Sequence, residues 1–372
     1  MQELIAAGID LGTTFSSISI VDENGKPEII PNAEGERLTP SVVFFAEDTV
    51  IVGQMARDAL MTDPDDVVMF VKRQMGNAHW YYSYQGQKQK PQEVSAWILK
   101  KLKQDAEQYL GSPIPYVVIT VPAYFDDVRR RATLTAGEIA GFHVLDLVNE
   151  PTAAAIAFGV NRRERPETVL VYDLGGGTFD ATIMQVDGQD IRIVATDGDH
   201  QLGGKDFDDL LMQYAVRQFQ EEHGFDPTED THIAAELRAQ VEKTKHQLSQ
   251  RTRTMLMLRG QGKVSRIMIT RDQFSAMIKP KLDTTLVLIR SVLRDAELQP
   301  EEIDRVLLIG GSTRIPAIHN MLEQYFGYPP DDSVNPDEAV SLGAALMAAK
   351  KALEVEPDAV PEPVVQKVGG LQ

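Results

Sequence analysis

The sequence predicts an α/β protein of two related halves, on three observations. Strand-like and helix-like segments alternate along the chain, the pattern of strands and covering helices in layered α/β folds. One motif occurs twice, as GIDLGTTFS at residues 8–16 and VYDLGGGTFD at residues 171–180. Asp10, Leu11, Gly12, Thr13, Thr14 and Phe15 align with Asp173, Leu174, Gly175, Gly177, Thr178 and Phe179 after a one-residue gap, an offset of 173 − 10 = 163 residues. An offset near half the chain reads as an internal duplication. The third observation is size: 372 residues, 43% of them hydrophobic, can fill two cores.

The elements follow from local pattern. YVVITVP (116–122), TVLVYDL (168–174) and RVLLIGG (305–311) are short, β-branched and almost wholly apolar, as buried central strands are. QEVSAWILKKLKQDAEQYL (92–110) sets Val94, Ile98, Leu102, Ala106 and Tyr109 at helical spacing. AELRAQVEKTKHQL (235–248) does the same with Leu237, Val241 and Leu248, so both predict amphipathic helices. HWYYSY (79–84) reads as a strand that packs its aromatics. From Lys350, prolines at 357, 361 and 363 and the lack of a periodic pattern predict a tail or linker.

Charge removes several function classes. The 37 basic and 55 acidic side chains give a formal −18, which disfavours nonspecific binding to nucleic acid or anionic membrane. The absence of cysteine excludes disulfides and thiolate metal sites. The start MQELIAAGID is too short and too uncharged at its head for a signal peptide, and no apolar run approaches membrane-spanning length. The expectation is a soluble, cytoplasmic-type protein with neither nucleic acid nor membrane as partner.

The chemistry begins with Gly175, Gly176 and Gly177. Three glycines in a row cost ordering entropy and bury nothing, so something approaches this backbone closely. A phosphate against unshielded N–H groups is one reading and a plain turn the other. The duplication favours the phosphate, with one nucleotide between two facing hairpins.

Three further stretches carry polar residues that a plain fold does not require. Lys72-Arg73 in MFVKRQMG reads as a surface pair or as a cationic site. In LVNEPTAAAIAFG, Glu150 before Pro151 suits a helix start as well as a catalytic acid. VLLIGGSTRIP has Arg314 where a nucleophile elbow needs its second glycine, which excludes a serine hydrolase. Glu242, Lys245, His246 and Ser249 share one helical stripe, either a salt-bridged face or a polar wall against ribose and base. No P-loop and no helix-opening G-x-G-x-x-G occurs, and the seven histidines never reach metal-ligand spacing.

Taken in order, GIDLGTTFS, MFVKRQMG, ITVPAYF, LVNEPTAAAIAFG, VYDLGGGTFD, LGGKDFD, IGGSTRIP and VNPDEAVSLGAA resemble the ATPase domain of the Hsp70 (DnaK) heat-shock proteins, from about residue 5 to 349. The resemblance implies the actin-like ATPase fold, with two related lobes, each of an inner α/β subdomain and a smaller outer one. It implies a first lobe at 1–162 (outer part about 37–91), a second at 163–349 (outer part about 203–279) and an acidic, proline-containing tail at 350–372. The implied function is Mg-dependent ATP binding and hydrolysis as the motor of a chaperone. The alternatives are a nucleotide-gated regulatory or scaffold protein without peptide binding and, less favoured, a small-molecule kinase of the same superfamily.

The resemblance also assigns roles. Gly12, Thr13, Thr14, Phe15, Gly175, Gly176, Gly177 and Thr178 would hold phosphates of ATP or ADP, and Asp10 and Asp173 would hold Mg²⁺ mostly through water, with K⁺ as a second cation. Lys72, Glu150, Asp180, Asp10, Asp173 and Thr178 would form the catalytic set. Gly203 and Gly204 would line the phosphate path, and Glu242, Lys245, His246, Ser249, Gly310, Gly311, Ser312, Arg314 and Asp337 would enclose ribose and adenine. Pro122 and Arg130 match a pair that relays nucleotide state outward. Implied partners are a nucleotide-exchange factor and a peptide-binding domain outside this chain. Against that resemblance the segments between Gly76 and Pro91 and around Arg259–Val264 read as shortened, and the expectation is a chain without the leucine-rich linker. Asp146 stands where relatives place an arginine that docks a J-domain co-chaperone, so J-domain binding is expected to fail.

Overall fold

The structure, a computed structural model, describes residues 5–159, 165–187, 190–355 and 362–368. Its first half runs β1 (Ala6–Asp10), β2 (Phe15–Val21), β3 (Pro27–Ile30), β4 (Thr39–Pro40), β5 (Val42–Phe45), β6 (Val50–Val52), α1 (Gln54–Asp58), β7 (Val67–Met69), β8 (Tyr82–Tyr84) and β9 (Gln87–Gln89). It continues with α2 (Pro91–Leu110), β10 (Tyr116–Val121), α3 (Asp127–Ile139), β11 (His143–Asn149) and α4 (Glu150–Ala157). The second half comprises β12 (Glu167–Leu174), β13 (Phe179–Asp187), β14 (Asp190–Asp199), α5 (Gly204–His223), α6 (Thr231–Gln250), β15 (Arg253–Gly260) and β16 (Lys263–Thr270). It ends with α7 (Arg271–Asp295), β17 (Arg305–Ile309), α8 (Pro316–Phe326), α9 (Ala339–Val355) and α10 (Glu362–Val368).

The duplication is visible in the topology. One sheet has the order β11-β10-β1-β2-β3, with β4 also on β2, and the other β14-β13-β12-β17. In the first, β1 and β2 form an antiparallel hairpin and β10 adds parallel to β1. In the second, β12 and β13 form the hairpin and β17 adds parallel to β12. Strands buried on both faces have no polar side to alternate with, which is why Val169, Leu170, Val171 and Tyr172 form an unbroken apolar run.

Each sheet has its own core. One cluster gathers Ile9, Ile18, Leu99 and Ile119 with α2, and another gathers Leu170, Tyr172, Phe207 and Ile278 with α5 and α7. A third joins the halves: Val118 and Val148 of the first sheet meet Val169, Val171, Leu307 and Ile309 of the second through Ala153–Ala155 of α4 and Ala339, Ala348 and Ala352 of α9. Small side chains let these helices cross almost backbone to backbone. A Cβ on Gly343 would lie 1.7 Å from the Ala153 carbonyl oxygen, and one on Gly8 would lie 2.1 Å from the Ala345 nitrogen. Ser19 and Ser341 add a buried hydroxyl contact of 2.8 Å.

The smaller parts sit at the rim of the cleft. Tyr82 and Tyr84 pack on Phe45 at ring-centroid distances of 4.6 and 5.0 Å, whereas Tyr81 faces solvent, so only part of HWYYSY packs as expected. Helix α6 starts where the Asp230 carboxylate accepts from the N–H groups of His232 and Ile233.

The tail differs from the expectation. Helix α9 continues to Val355, because KKALEV contains no breaker before Pro357. Pro363 then falls in the first turn of α10, whose Val364 and Val368 are buried against Ile156, Leu346 and Ala349. Two valines four residues apart make one helical face, too short to register as a period. The expected lobe boundary at residue 162, and positions 356–361 and 369–372 of the tail, lie outside the described residues.

Gly343→Ala should force α4 and α9 apart and lower stability by about 1–3 kcal/mol, the usual range for overpacking. Thermal unfolding checks this, and an unchanged melting temperature would contradict the close crossing.

Candidate functional site

The β1–β2 and β12–β13 turns face each other and touch. A Cβ on Gly176 would lie 1.6 Å from Thr14 Oγ1, and one on Gly177 would lie 2.3 Å from Thr13 Cγ2. The glycine triad is therefore required by close approach of the opposite hairpin, a demand that a plain turn does not make. Its carbonyls are all taken up by protein donors. Gly175 O accepts from Gly204 N at 3.0 Å and Ser312 Oγ at 2.8 Å. Gly176 O accepts from Lys205 N at 2.8 Å, and Gly177 O from Arg73 Nε at 2.8 Å. Because a trans peptide points its N–H opposite to its C=O, the N–H groups of Gly176, Gly177 and Thr178 point away from these donors.

A cavity of about 600 Å³ opens in front of these groups. Asp10, Gly12, Thr13, Thr14, Phe15, Lys72, Glu150, Asp173, Gly175, Gly176 and Thr178 line its inner end. Glu242, Lys245, His246, Ser249, Gly310, Gly311, Ser312, Arg314 and Asp337 also line it. Gly177, Asp180, Gly203 and Gly204 are not among the lining residues. Gly203 and Gly204 pack the start of α5 against the glycine triad, where a Cβ on Gly203 would lie 2.5 Å from Gly177 N. Asp180 is buried one layer back, with Oδ1 lacking a partner among the described residues.

Charge is concentrated at the inner end. Lys72 donates to Glu150 at 2.6 Å, with both side chains only 7% exposed. Enclosure by protein and the neighbouring Glu150 push the Asp10 carboxyl up to about 7, against the pull of Lys72. The same enclosure, with Glu150 and Asp10 adding repulsion, holds Asp173 well above the usual carboxylate range. Burial and Asp173 do the same to Asp180. Burial opposes the charge on Lys72, but Glu150 and Asp10 outweigh it and raise its pKa. Several carboxylates share one ammonium, an arrangement suited to a further cation.

That surplus fits magnesium in one particular way. Among the described residues no three acidic or histidine side chains converge as a direct metal centre. Asp10 and Asp173 could therefore hold the ion through its waters, as suits an ion that dehydrates reluctantly. Thr14 Oγ1, packed against Gly176, has no hydrogen-bond partner among the described residues.

The outer wall is pinned by ion pairs. Arg57 reaches across from α1 to Glu242, while Lys245 donates to Asp208 at 2.8 Å and to the Gly204 carbonyl at 3.0 Å. Burial lifts Asp208 to about 6 despite Lys245. Arg314 is held by Asp337 at 2.7 Å, and Arg37 pairs with Glu338 at 2.7 Å at the mouth. Sequence reasoning missed Arg57, Lys205, Asp208 and Arg238. Lys205 and Asp208 stood inside LGGKDFD, where only the glycines were read; Arg57 carried no local signal.

Arg130, matched in the sequence with Pro122, donates to the Phe125 carbonyl at 2.9 Å and to Asn149 Oδ1 at 2.5 Å, beside Glu150. Asp146 has a neighbour that the sequence did not suggest: Lys351 Nζ lies 3.6 Å from its carboxylate.

A duplicated sheet whose two hairpins close on one cleft defines a protein of the actin-like fold. The family model described as Hsp70 protein matches residues 6–81 and 77–357. The chain is 44% identical over 349 residues to the chaperone protein DnaK of Thermosipho melanesiensis, covering 92% of this chain and 58% of that protein. It is 44% identical over 350 residues to the DnaK proteins of Thermotoga petrophila and Thermotoga maritima, covering 92% and 59%. This chain belongs to the Hsp70 family and spans a little under 60% of the length of these relatives. No helix among the described residues is long and apolar enough to cross a membrane.

The raised Asp10 carboxyl sets a pH dependence. Between about pH 4 and 7 the native state holds a proton that the unfolded chain has lost, so this group's contribution to stability falls as pH rises through that window. Asp10→Asn should raise the melting temperature of the nucleotide- and metal-free protein at pH 7.5 by about 2 °C or more, with the gain shrinking at pH 5.5. Calorimetry with a chelator present checks it.

Proposed function

We propose that this chain binds Mg-ATP between its halves and hydrolyses the terminal phosphate, as the nucleotide-driven motor of an Hsp70-type chaperone. The observation that carries the reading is the second hairpin, which lines one cleft together with the first and whose three glycine carbonyls are already taken by protein donors, leaving the opposed N–H groups for a ligand. Gly12, Thr13, Thr14, Gly175, Gly176 and Thr178 supply phosphate donors, with Gly177 giving an N–H from behind. Bound magnesium would draw charge from the β- and γ-phosphate oxygens, and K⁺ is a candidate second cation. Lys72 stabilises the charge that develops on the terminal phosphoryl group. Glu150 and Asp180 orient the attacking water and accept its proton. Glu242, Lys245, His246, Ser249, Gly311, Ser312, Arg314 and Asp337 enclose the nucleoside.

The Arg57–Glu242 and Arg37–Glu338 pairs join the halves across the mouth, so closure is reinforced by contacts that opening must break. Arg130 and Asn149 connect Glu150 to the turn after Pro122, a route by which nucleotide state reaches the surface. The relatives' name as chaperones supports the motor reading over a regulatory or scaffold one, and a peptide-binding domain and an exchange factor are the partners it calls for.

Lys72→Ala should leave Mg-ATP affinity within about threefold while slowing hydrolysis at least about 100-fold, because Lys72 acts on the transition state and the hairpins hold the ground state. Nucleotide titration and single-turnover hydrolysis separate the two; unchanged hydrolysis removes Lys72 from the reaction.

An ordinary J-domain should bind weakly, since Asp146 replaces a basic docking residue and also neutralises Lys351 beside it. Asp146→Arg should strengthen J-domain binding by about tenfold or more in a direct binding assay. Tight binding to the unmodified chain that the substitution leaves alone would defeat this reading.

A further inference from the structure

Behind the loop that carries Lys72 lies a second cavity, of about 580 Å³. Met69, Phe70 and Lys205 line both this cavity and the nucleotide cleft, so these side chains stand between the two spaces. Phe70 sits in this partition in the left-handed region, at φ 58 and ψ 27. A bulky aromatic residue holds such a conformation only where neighbouring structure imposes it. Lys205 Nζ rests 5.7 Å from the centre of the Phe70 ring.

The cavity reverses the charge of the molecule around it. In a chain of formal charge −18, Arg73, Arg129 and Lys205 line it against a single carboxylate, Asp126. Arg73 is paired with Asp206 at 2.6 Å and Lys205 with Asp209, so neither is open to a new partner without loss. Arg129 is different. Its nearest carboxylate oxygen, on Asp126, is 3.9 Å away, and the guanidinium lies over the rings of Tyr124 and Phe125 at 6.0 and 5.8 Å. Its planar fork of donors is therefore available to an anion. Space for it is kept by Gly76, at φ +80, where a Cβ would lie 2.9 Å from Arg129 Cγ.

We propose that this cavity receives the inorganic phosphate released by hydrolysis, with Arg129 as its main ligand and Phe70 as the gate from the nucleotide cleft. The proposal rests on the hydrolytic reading above. With ADP still filling the cleft toward its mouth, phosphate has no free way past the nucleoside. The rear cavity gives it a route drawn by positive charge, and lets it leave while ADP stays bound. The strained Phe70 backbone makes the partition poised to move.

The test uses the whole chain saturated with Mg²⁺ and a non-hydrolysable ATP analogue, which fills the terminal-phosphate position in front of Lys72. Radiolabelled inorganic phosphate is then titrated by equilibrium dialysis. One phosphate per chain is expected, with affinity lowered about tenfold or more by Arg129→Gln and largely kept by Arg129→Lys. Absence of phosphate binding, or equal binding by wild type and Arg129→Gln with unchanged melting temperatures, overturns the proposal. Quench-flow with ATP on the wild-type chain reports the chemical step by itself. No ADP formation there would defeat the hydrolytic reading, whereas normal ADP formation with phosphate binding indifferent to Arg129 would defeat the rear site alone.

Discussion

The crossing of α4 and α9 is the constraint on which the rest of the molecule depends. The two helices pass between the sheets at a separation that leaves no room for a Cβ on Gly343, and α9 lies as close to β1 at Gly8. That contact fixes how one sheet sits against the other, and with it the facing of the two hairpins. It also places Glu150, the first residue of α4, at the floor of the cleft beside Lys72. A larger residue at the crossing would move the chemistry without touching it.

Packing of this kind has to offset an electrostatic cost. Asp10, Asp173, Asp180 and Glu150 surround one lysine where water is largely excluded, and the proton affinities of the three aspartates rise in response. Like charges enclosed together are unfavourable, and the folded chain tolerates them because its three apolar clusters are extensive. A bound cation and its anionic ligand add charge of both signs at this point. Such a site gains stability in proportion to what it binds, so affinity and fold are linked through the same carboxylates.

How much was legible in the sequence follows the range of each interaction. The central strands, α2 and α6 could be read because burial on both faces, or on one helical stripe, leaves a local pattern. The duplication was legible because the same turn chemistry was needed twice. The glycine triad announced a close approach, but not that the approaching group includes the opposite hairpin's threonines. Lys72 was indistinguishable from a surface lysine until it was set beside relatives, since its partner Glu150 is 78 residues away. The pairing of Arg57 with Glu242, 185 residues away, left no trace at all. Gly203 and Gly204 were read as contacts to ligand when their small size serves α5, because a glycine reports that something is near and not what it is. The docked α10 escaped for the opposite reason: two valines are too few to make a period.

The position of α9 also governs how the chain can be made. Residues near 345 complete the packing around Gly8, so the first sheet lacks part of its covering layer until more than 300 further residues have been made. At about 5–20 residues per second, a ribosome needs roughly 17–67 s to traverse the 345 − 8 = 337 residues between them. Throughout that interval an apolar sheet face stands open. Contacts of such long range also form slowly in a released chain, because loop closure precedes their reward. A member of a family whose relatives are named as chaperones thus passes through its own synthesis as an exposed, unfinished chain.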